Sequence, residues 1–199
     1  MIKLYRYDIR EMSDEEYPCL VATLPIEQRK RIGRMVHADD RKRALAGRLL
    51  IRRAAEELYG VSDPPTLRTA AGKPYFIDLP LQFSLSHSAD RVILAVSERE
   101  IGMDIEQIRP LSLGVAKRFF TPAEQVYVFG RVPTERDFAL PKTEQDDALL
   151  RRFYEVWTKK EAYGKWQGSG LAAALSVDTA ALHFYTEIDK EYALAVYEE

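Results

Sequence analysis

The spacing of apolar residues predicts a long helix in the C-terminal part of the chain. Its apolar residues recur at helical intervals, at Leu149, Leu150, Phe153, Val156 and Trp157. Asp146 and Asp147 suit the start of this helix, and Gly168 and Gly170 suit its end. Glu161 lies four residues after Trp157, so it continues the apolar stripe.

Two interpretations of Glu161 are open at this point. A carboxylate on an apolar stripe needs a partner, because burying it unpaired is costly. Lys165, one turn further on, is the natural candidate. The alternative is an ordinary surface Glu–Lys pair, which stabilises a helix by only ~0.2–0.5 kcal/mol. The helix alone does not decide between a functional site and a surface pair.

Shorter patterns predict two successive runs of strand, helices and strands. We expect strands over residues 2–9, 81–87, 91–97, 101–106, 173–178, 182–187 and 192–198. Further helices are expected over residues 14–23, 26–37, from Asp39 or Asp40 to Gly60, 112–120 and 122–130. The polar stretch 131–146 has no periodicity and is predicted to be a flexible excursion. The order predicts an α+β fold of two similar halves, residues 1–100 and 101–199, each a small antiparallel sheet packed with helices.

Composition narrows the class of protein. A chain of 199 residues with 46% hydrophobic and 30% charged residues is typical of a soluble globular protein of one or two domains. No apolar run approaches the ~20 residues of a membrane helix, and the charged, alternating N-terminus reads as a strand and not as a signal peptide. Cys19 is the only cysteine, so no intrachain disulfide or cysteine-based zinc site is possible. We therefore expect a cytoplasmic protein without membrane contact.

Positive charge is concentrated in the first half. Residues 29–53 carry ten lysines and arginines against Asp39 and Asp40, a local charge of +8 in a chain whose net charge is −2. Such a block tolerates or binds a polyanion, although a solvated helix face explains most of it. The near-neutral total charge and the lack of an aromatic-interleaved basic strand argue against nucleic acid.

The predicted strand over residues 101–106 carries a candidate metal site. Alternation places Gly102, Asp104 and Glu106 on one side of the strand. Two carboxylates ~7 Å apart repel each other, and a hard divalent cation such as Mg²⁺ removes that conflict. Gly102 would leave room for a ligand to approach. The alternative, which the pattern alone favours, is a polar strand side facing solvent.

Three further stretches carry candidate chemistry, each with a structural alternative. His87, which ends a predicted strand, could bind a phosphate or be a turn histidine with a backbone partner. The Gly72-Lys73-Pro74 stretch resembles only a fragment of a phosphate loop. Glu124 completes a capping box with Thr121, which accounts for it without any catalytic role.

Taken together and in this order, these pieces resemble the 4′-phosphopantetheinyl transferases of the larger, surfactin-synthetase-activating type. The resemblance runs from about residue 1 to 198 and is carried by Gly72-Lys73-Pro74, Ser84-Leu85-Ser86-His87-Ser88, Gly102-Met103-Asp104-Ile105-Glu106, Arg118–Glu124 and Trp157–Lys165. The last stretch matches the family pattern Trp-Ser/Thr-x-Lys-Glu-Ala/Ser-x-x-Lys at every fixed position. Its combination with the Asp-x-Glu strand about 50 residues earlier is the specific part.

The resemblance implies an enzyme that transfers the phosphopantetheine arm of coenzyme A to a serine of an acyl or peptidyl carrier protein, with release of 3′,5′-ADP. Asp104, Glu106 and Glu161 would surround Mg²⁺ on the diphosphate, and Lys165 would neutralise its charge. Contacts to coenzyme A would come from Arg31, Arg43, Lys73, Pro74, Ser86, His87, Lys160 and Lys165. Glu161, Glu124 or a metal-bound water would take the serine proton.

The same resemblance implies a monomer with coenzyme A and Mg²⁺ in the cleft of its two halves, the first binding coenzyme A and the second metal. The pathway could be fatty-acid or secondary-metabolite biosynthesis. Phosphoryl transfer requires positioning and charge neutralisation, which explains the acidic strand and the basic block jointly. Two departures from the family are the long polar stretch 131–146, near the expected carrier surface, and Gln28, where some members have lysine.

Two other classes of function stay open from the sequence. One is a different Mg²⁺-dependent transferase or hydrolase that acts on a nucleotide diphosphate. The other is a non-catalytic protein that binds a carrier protein or nucleic acid through the basic block.

Overall fold

Eight strands and eight α-helices make up the part of the chain that the computed structural model describes, which is residues 1–168, 170–174 and 176–199. The strands are β1 (Lys3–Asp8), β2 (Thr66–Arg68), β3 (Pro74–Phe76), β4 (Gln82–Ser88), β5 (Arg91–Ser97), β6 (Ile101–Gln107), β7 (Tyr185–Ile188) and β8 (Tyr192–Glu198). The helices are α1 (Glu16–Ala22), α2 (Ile26–Gly33), α3 (Ala38–Tyr59), α4 (Gly114–Phe119), α5 (Pro122–Phe129), α6 (Glu135–Phe138), α7 (Asp147–Gln167) and α8 (Leu171–Ala174). Short 3-10 turns span Ile9–Glu11, Lys142–Glu144 and Thr179–Ala181.

The chain divides into two compact units, each with its own sheet and core. The first unit comprises residues 1–67 and 74–98, and the second comprises residues 68–73 and 99–199. Each unit contains a three-stranded antiparallel sheet packed with helices, so the predicted α+β fold of two similar halves is confirmed. None of the helices in the described residues combines the length and apolar character that a membrane-crossing helix needs.

The first unit is built on the sheet β1-β5-β4, in which the apolar strand β5 lies in the middle. Leu94 of β5 pairs with Tyr5 of β1 and with Leu85 of β4. Helix α3 packs on this sheet through a buried stripe, and Gly47 allows the close approach because a Cβ there would lie 2.8 Å from the Leu85 side chain. The helix ends at Gly60, whose left-handed backbone a residue with a side chain rarely adopts.

The second unit is built on the sheet β6-β8-β7, with α7 packed across β6 and β8. Asp104 in the middle of β6 pairs with Ala195 of β8. Helix α7 begins at Asp146, whose carboxylate accepts from the backbone N–H of Leu149 at 2.7 Å, and ends at Gly168 in left-handed conformation. These are the ends that its sequence predicts. A second apolar core packs along this helix, with Phe120, Val128 and Phe153 among its buried residues.

The segment predicted as a flexible excursion, residues 131–146, holds defined structure instead. Thr134 caps the short helix α6 together with Asp137, and Arg131 donates two hydrogen bonds to the same Asp137 carboxylate. The Gln145 amide bonds both to the backbone N–H and to the carbonyl oxygen of Leu111, at 3.1 and 2.8 Å. Side-chain contacts of this kind leave no apolar periodicity, and the sequence pattern therefore missed them.

One other prediction of local structure is wrong, and one pair of strands was not predicted. The strand predicted over residues 173–178 is contradicted by α8, which extends to Ala174, and by the absence of strand at the described residues 176–178; residue 175 lies outside the described residues. The short strands β2 and β3, which pair with each other, were not predicted. Alanine-rich and three-residue segments carry too little pattern to identify their secondary structure.

Candidate active site

Strand β6 and helix α7 approach each other closely at Gly102. A Cβ on this glycine would lie closer than 3.0 Å to the Ala162 carbonyl oxygen, the Trp166 nitrogen and the Trp166 Cβ. Gly102 therefore makes room for the backbone of α7, and not for a ligand as its position in the strand suggested. This approach places the other residues on that side of β6 beneath the helix.

Asp104, two residues further along β6, is covered by α7 and only 4% exposed. Its carboxylate accepts a hydrogen bond from the Lys165 ammonium, with Nζ and Oδ1 2.6 Å apart. A polar strand side facing solvent, the alternative that the alternating pattern favoured, is therefore wrong at Asp104. The buried carboxylate of Asp104 is instead paired with the Lys165 ammonium.

Glu161, one turn before Lys165 on the same helix, belongs to the same group of charges. Burial raises the pKa of the Glu161 carboxyl above its ordinary value, and the negative charges of Asp104 and Glu106 raise it further. Lys165 opposes this pKa shift. Two acids of β6 and an acid and a base of α7 thus interact in one place. The two segments are far apart in sequence, and neither of them alone indicates this interaction.

The acidic residues of this group fit a hard divalent cation by their chemistry. Mg²⁺ prefers carboxylate oxygens and is typically held by one or two carboxylates together with phosphates of the substrate. In the residues that the structure describes, no three Asp, Glu, His or Cys side chains are already arranged as a metal-binding group. The carboxylates of a metal site are therefore present, and one of them, Asp104, is paired with the Lys165 ammonium.

Glu124 is part of a separate, fully buried ion pair. Its side chain is 2% exposed and lies 2.9 Å from the ammonium of Lys160, which is 0% exposed. The same carboxylate accepts from the backbone N–H of Thr121, as the capping box predicts, and from the N–H and hydroxyl of Thr179. The capping role is confirmed, and the contacts with Thr179 and Lys160 add a tertiary role that the sequence did not indicate.

Lys160 is also bound by backbone oxygens, which bears on its predicted contact with coenzyme A. Its ammonium donates to the carbonyls of Ala174 and Val177, at 2.9 and 2.8 Å, in addition to Glu124. An ammonium has three N–H groups, and protein oxygens engage all of them here. The structure therefore gives Lys160 a place in the interior of the second unit, beside Glu161 in sequence but with a different environment.

Three of the candidate coenzyme A residues, Arg43, Ser86 and His87, lie at or near the turn between β4 and β5. Arg43 donates to the carbonyl of Ala89 in this turn and to the carboxylate of Asp40. Its guanidinium holds the pKa of Asp40 below the usual range, and the charge of His87 contributes to the same shift. His87 is exposed and the preceding Ser86 is buried. Arg31 lies apart from them in sequence, exposed in the last turn of α2.

Lys73 belongs to the second unit, although its neighbour Pro74 begins a strand of the first. Its ammonium lies 2.6 Å from the Glu100 carboxylate and donates to the carbonyl of Trp166 at 3.2 Å. No sequence pattern near Glu100 or Trp166 indicates that these residues contact Lys73. Lys73 is thus held by residues adjacent to β6 and near the end of α7.

The basic block of residues 29–53 is used largely within the first unit. Lys42 donates to the carbonyl of Met12, Arg48 to the hydroxyl of Thr66, and Arg52 to the carbonyl of Ser62. Arg41 and Arg43 likewise donate to loop carbonyls. Several basic side chains of this block therefore hydrogen-bond to loops beside α3. The exposed ones among the remainder are the candidates for binding an anionic ligand.

Comparison with known proteins identifies the family to which the chain belongs. Residues 11–99 match the family model described as 4′-phosphopantetheinyl transferase, N-terminal, and residues 100–198 match that of the 4′-phosphopantetheinyl transferase superfamily. The chain is 35% identical over 179 residues to a 4′-phosphopantetheinyl transferase of Bacillus subtilis, covering 87% of this chain and 74% of the relative.

Two further relatives show comparable similarity over the same span. The 4′-phosphopantetheinyl transferase Sfp of Bacillus subtilis (strain 168) is 34% identical over 187 residues, which are 92% of this chain and 77% of the relative. The 4′-phosphopantetheinyl transferase HetI of Nostoc sp. is 31% identical over 189 residues, or 90% and 73% of the two chains. The resemblance inferred from the motifs is confirmed: the chain belongs to the 4′-phosphopantetheinyl transferase superfamily, as an enzyme of the Sfp type that acts on carrier proteins.

Proposed function

We propose that the chain performs this transfer at the group of charges on β6 and α7, with Asp104, Glu106 and Glu161 as the residues that hold Mg²⁺. The observation that carries the proposal is the interaction of these three carboxylates with one another and with Lys165. Carboxylates repel unless a cation lies among them, and the substrate, coenzyme A, brings a diphosphate that needs the same cation. When bound, Mg²⁺ neutralises diphosphate charge and acts as a Lewis acid on its oxygens.

The reaction breaks one P–O bond and forms another. The serine hydroxyl oxygen of the carrier protein attacks the phosphorus that bears the pantetheine arm, and the bond from this phosphorus to the bridging oxygen breaks. The electron pair leaves with 3′,5′-ADP, and the serine proton passes to a base on the enzyme. We assign to Lys165 the neutralisation of charge on the diphosphate, which is the kind of positioning that phosphoryl transfer depends on.

Glu161 is the side chain best suited to accept the serine proton. It interacts with Asp104, Glu106 and Lys165, the group of charges at which the diphosphate is proposed to bind. Glu124 is less suited, because its oxygens accept from Thr121, Thr179 and Lys160 in a buried position. We assign Glu124 and Lys160 to positioning of the helix that carries Glu161.

The contacts with coenzyme A are proposed from residues in both sequence halves. In the first unit these are Arg31, Arg43, Pro74, Ser86 and His87. Arg43 is supported by its hydrogen bond to the carbonyl of Ala89, which lies in the turn that closely follows His87. In the second unit, Lys73 and Lys165 are the candidate phosphate ligands.

The direct test uses the purified chain with coenzyme A, Mg²⁺ and an apo-carrier protein, and weighs the carrier by mass spectrometry. We expect a gain of about 340 Da, the mass of the transferred arm, together with 3′,5′-ADP. The matched controls are a carrier whose acceptor serine is replaced by alanine, and a reaction with chelator in place of Mg²⁺. No mass gain on any of several acyl and peptidyl carriers would contradict the proposed function.

A second experiment separates the two candidate bases. The rate of transfer by Glu161→Gln should lose the dependence on pH that ionisation of a general base imposes, and it should be low throughout. The Glu124→Gln enzyme should keep the pH dependence of the wild type, with any loss of rate following its loss of folded protein. An unaltered pH–rate profile in Glu161→Gln would assign the proton to another group.

A further inference from the structure

The Lys165 ammonium is bound to one carboxylate oxygen of Asp104, a residue proposed above as a metal ligand. Its Nζ lies 2.6 Å from Oδ1, and the Asp104 side chain is only 6% exposed while that of Lys165 is 31% exposed. Asp104 sits in the middle of β6, paired with Ala195, so its backbone cannot shift without disturbing the sheet. Lys165 lies in the last turn of α7, at the end of a long flexible side chain.

We propose that Lys165 is the resident cation of this site in the metal-free enzyme, and that a divalent cation displaces its ammonium from Asp104. The released ammonium then becomes available to the diphosphate of coenzyme A. The inference rests on the proposed function, because it takes Asp104 to be a metal ligand. It adds an order of events: the metal ion binds first, and its binding releases the Lys165 ammonium to contact the diphosphate of coenzyme A.

Charge repulsion and side-chain mobility decide which group leaves Asp104 when a metal ion binds. A metal ion and an ammonium group repel each other strongly when both are within contact distance of one partly buried carboxylate. The side chain that leaves is the one that can reach water, because the ammonium regains its hydration there. Lys165 meets this condition and Asp104 does not, as their exposures show.

A lysine on the same helix provides an internal control. Lys159 is paired with Glu155 at 2.6 Å, with side-chain exposures of 19% and 21%. Its ion pair resembles that of Lys165 in length but contains neither of the β6 acids. Metal binding at Asp104 should leave Lys159 unchanged.

The test measures the reactivity of both lysines in the wild-type enzyme, without coenzyme A. The protein is treated briefly with an amine-acylating reagent in the presence of Mg²⁺ or of chelator, and each labelled peptide is quantified by mass spectrometry. We expect the labelling of Lys165 to rise about threefold with Mg²⁺, because an ion-paired ammonium is shielded by its partner. The labelling of Lys159 should stay constant. Unchanged or decreased labelling of Lys165 under saturating Mg²⁺ would overturn the displacement.

Metal affinity gives a second readout that requires no turnover. Mn²⁺ binding, followed by electron paramagnetic resonance, should be roughly tenfold tighter in Lys165→Met than in the wild type, because no ion pair has to be broken. Lys165→Arg, which keeps the charge, should bind Mn²⁺ no more tightly than the wild type, and Lys159→Met should match the wild type. Equal or weaker binding by Lys165→Met would overturn the inference.

The two proposals fail in different ways. If Asp104→Asn binds Mn²⁺ as well as the wild type, Asp104 is not a metal ligand, and both the proposed metal site and the displacement are wrong. If Asp104→Asn loses Mn²⁺ binding while Lys165→Met and the labelling pattern show no change, the metal site stands and the displacement alone is wrong.

Discussion

Gly102 faces the carbonyl oxygen of Ala162 at a distance that leaves no space for a methyl group. Strand β6 and helix α7 can therefore pack backbone to backbone at this point. The close approach brings Asp104, two residues along the strand, beneath Glu161 and Lys165. The geometry of the site thus depends on a residue that has no functional group.

Gly102→Ala should disrupt this packing and lower the free energy of unfolding of the second unit by about 3 kcal/mol. The added Cβ would meet backbone atoms of Ala162 and Trp166, which cannot move as the end of a side chain can. Urea unfolding followed by tryptophan fluorescence measures the effect, since both tryptophans, Trp157 and Trp166, lie on α7.

Gly114→Ala is the matched control for this substitution. Gly114 begins α4 in the same unit, and a Cβ there would meet only the Ser112 hydroxyl at 3.7 Å. Alanine is the better helix former by ~1 kcal/mol in a helix interior, so the control should be neutral or slightly stabilising. A similar loss of stability in both variants would mean that the approach of β6 to α7 is not the cause.

The adjacent lysines Lys159 and Lys160 should differ sharply in their contribution to stability. Lys160→Met leaves the buried carboxylate of Glu124 without its cation, which should cost about 3–5 kcal/mol. Lys159→Met removes a partly exposed pair with Glu155 and should cost less than ~1 kcal/mol. The same fluorescence-monitored unfolding compares them. Equal effects would show that the Glu124–Lys160 pair is not buried in solution.

Asp104→Asn should separate function from folding. The substitution removes a carboxylate charge but keeps the shape and an oxygen acceptor for Lys165, so the free energy of unfolding should change by no more than ~1 kcal/mol. Transfer of the phosphopantetheine arm should fall about 100-fold or more, as expected for a ligand of the required metal. Mass spectrometry of the carrier protein gives the rate. Wild-type turnover would mean that Asp104 serves only as the partner of Lys165.

The raised pKa of Glu161 has a consequence for the stability of the metal-free enzyme. Because burial and Asp104 lift this pKa above its ordinary value of 4.5, the folded state keeps the proton that the unfolded chain releases. The contribution of Glu161 to stability is therefore greatest at low pH and declines as pH rises from 4.5 through the folded-state pKa. Glu161→Gln removes this decline. We expect the wild type to lose stability relative to the variant as pH rises above 4.5, measured by urea unfolding with chelator present.

Gln145→Ala should loosen the segment of residues 131–146. The amide side chain of Gln145 holds the backbone of Leu111 through two hydrogen bonds, and its removal should cost about 1 kcal/mol because those partly buried groups lose their partner. Amide hydrogen exchange should increase in this segment, while α7 keeps its protection. Unchanged exchange would show that the helix α6 and the Arg131–Asp137 contact suffice to hold the segment.

The elements that the sequence predicted best are those specified by local contacts. Helix α7 has an N-cap at Asp146, a glycine end at Gly168 and an apolar stripe within one segment, so each end and the buried face follow from neighbouring residues. The placement of Asp104 and Glu106 on one strand side follows in the same way from alternation. The charged candidates of the site were therefore available from the sequence.

The features that the sequence did not predict depend on contacts between segments that are distant along the chain. Thr179 donates to Glu124 across 55 positions, and no pattern near either residue indicates the other. The Gly102–Ala162 approach likewise joins two segments, and the strand pattern was equally consistent with a ligand beside the glycine. Lys160 matched a functional motif, yet its buried position is set by Glu124 and by the carbonyls of Ala174 and Val177.

The location of Lys73 bears on how enzymes of this kind can be recombined. Residues 68–73 are part of the second unit, although a long stretch of the first unit, residues 74–98, follows them in the chain. A chimera joined at residue 99 would take Lys73 from one parent and its partners Glu100 and Trp166 from the other. An exchange of the second unit between relatives therefore needs two crossover segments, one for residues 68–73 and one for the chain from residue 99 onward, so that the unit is inherited whole.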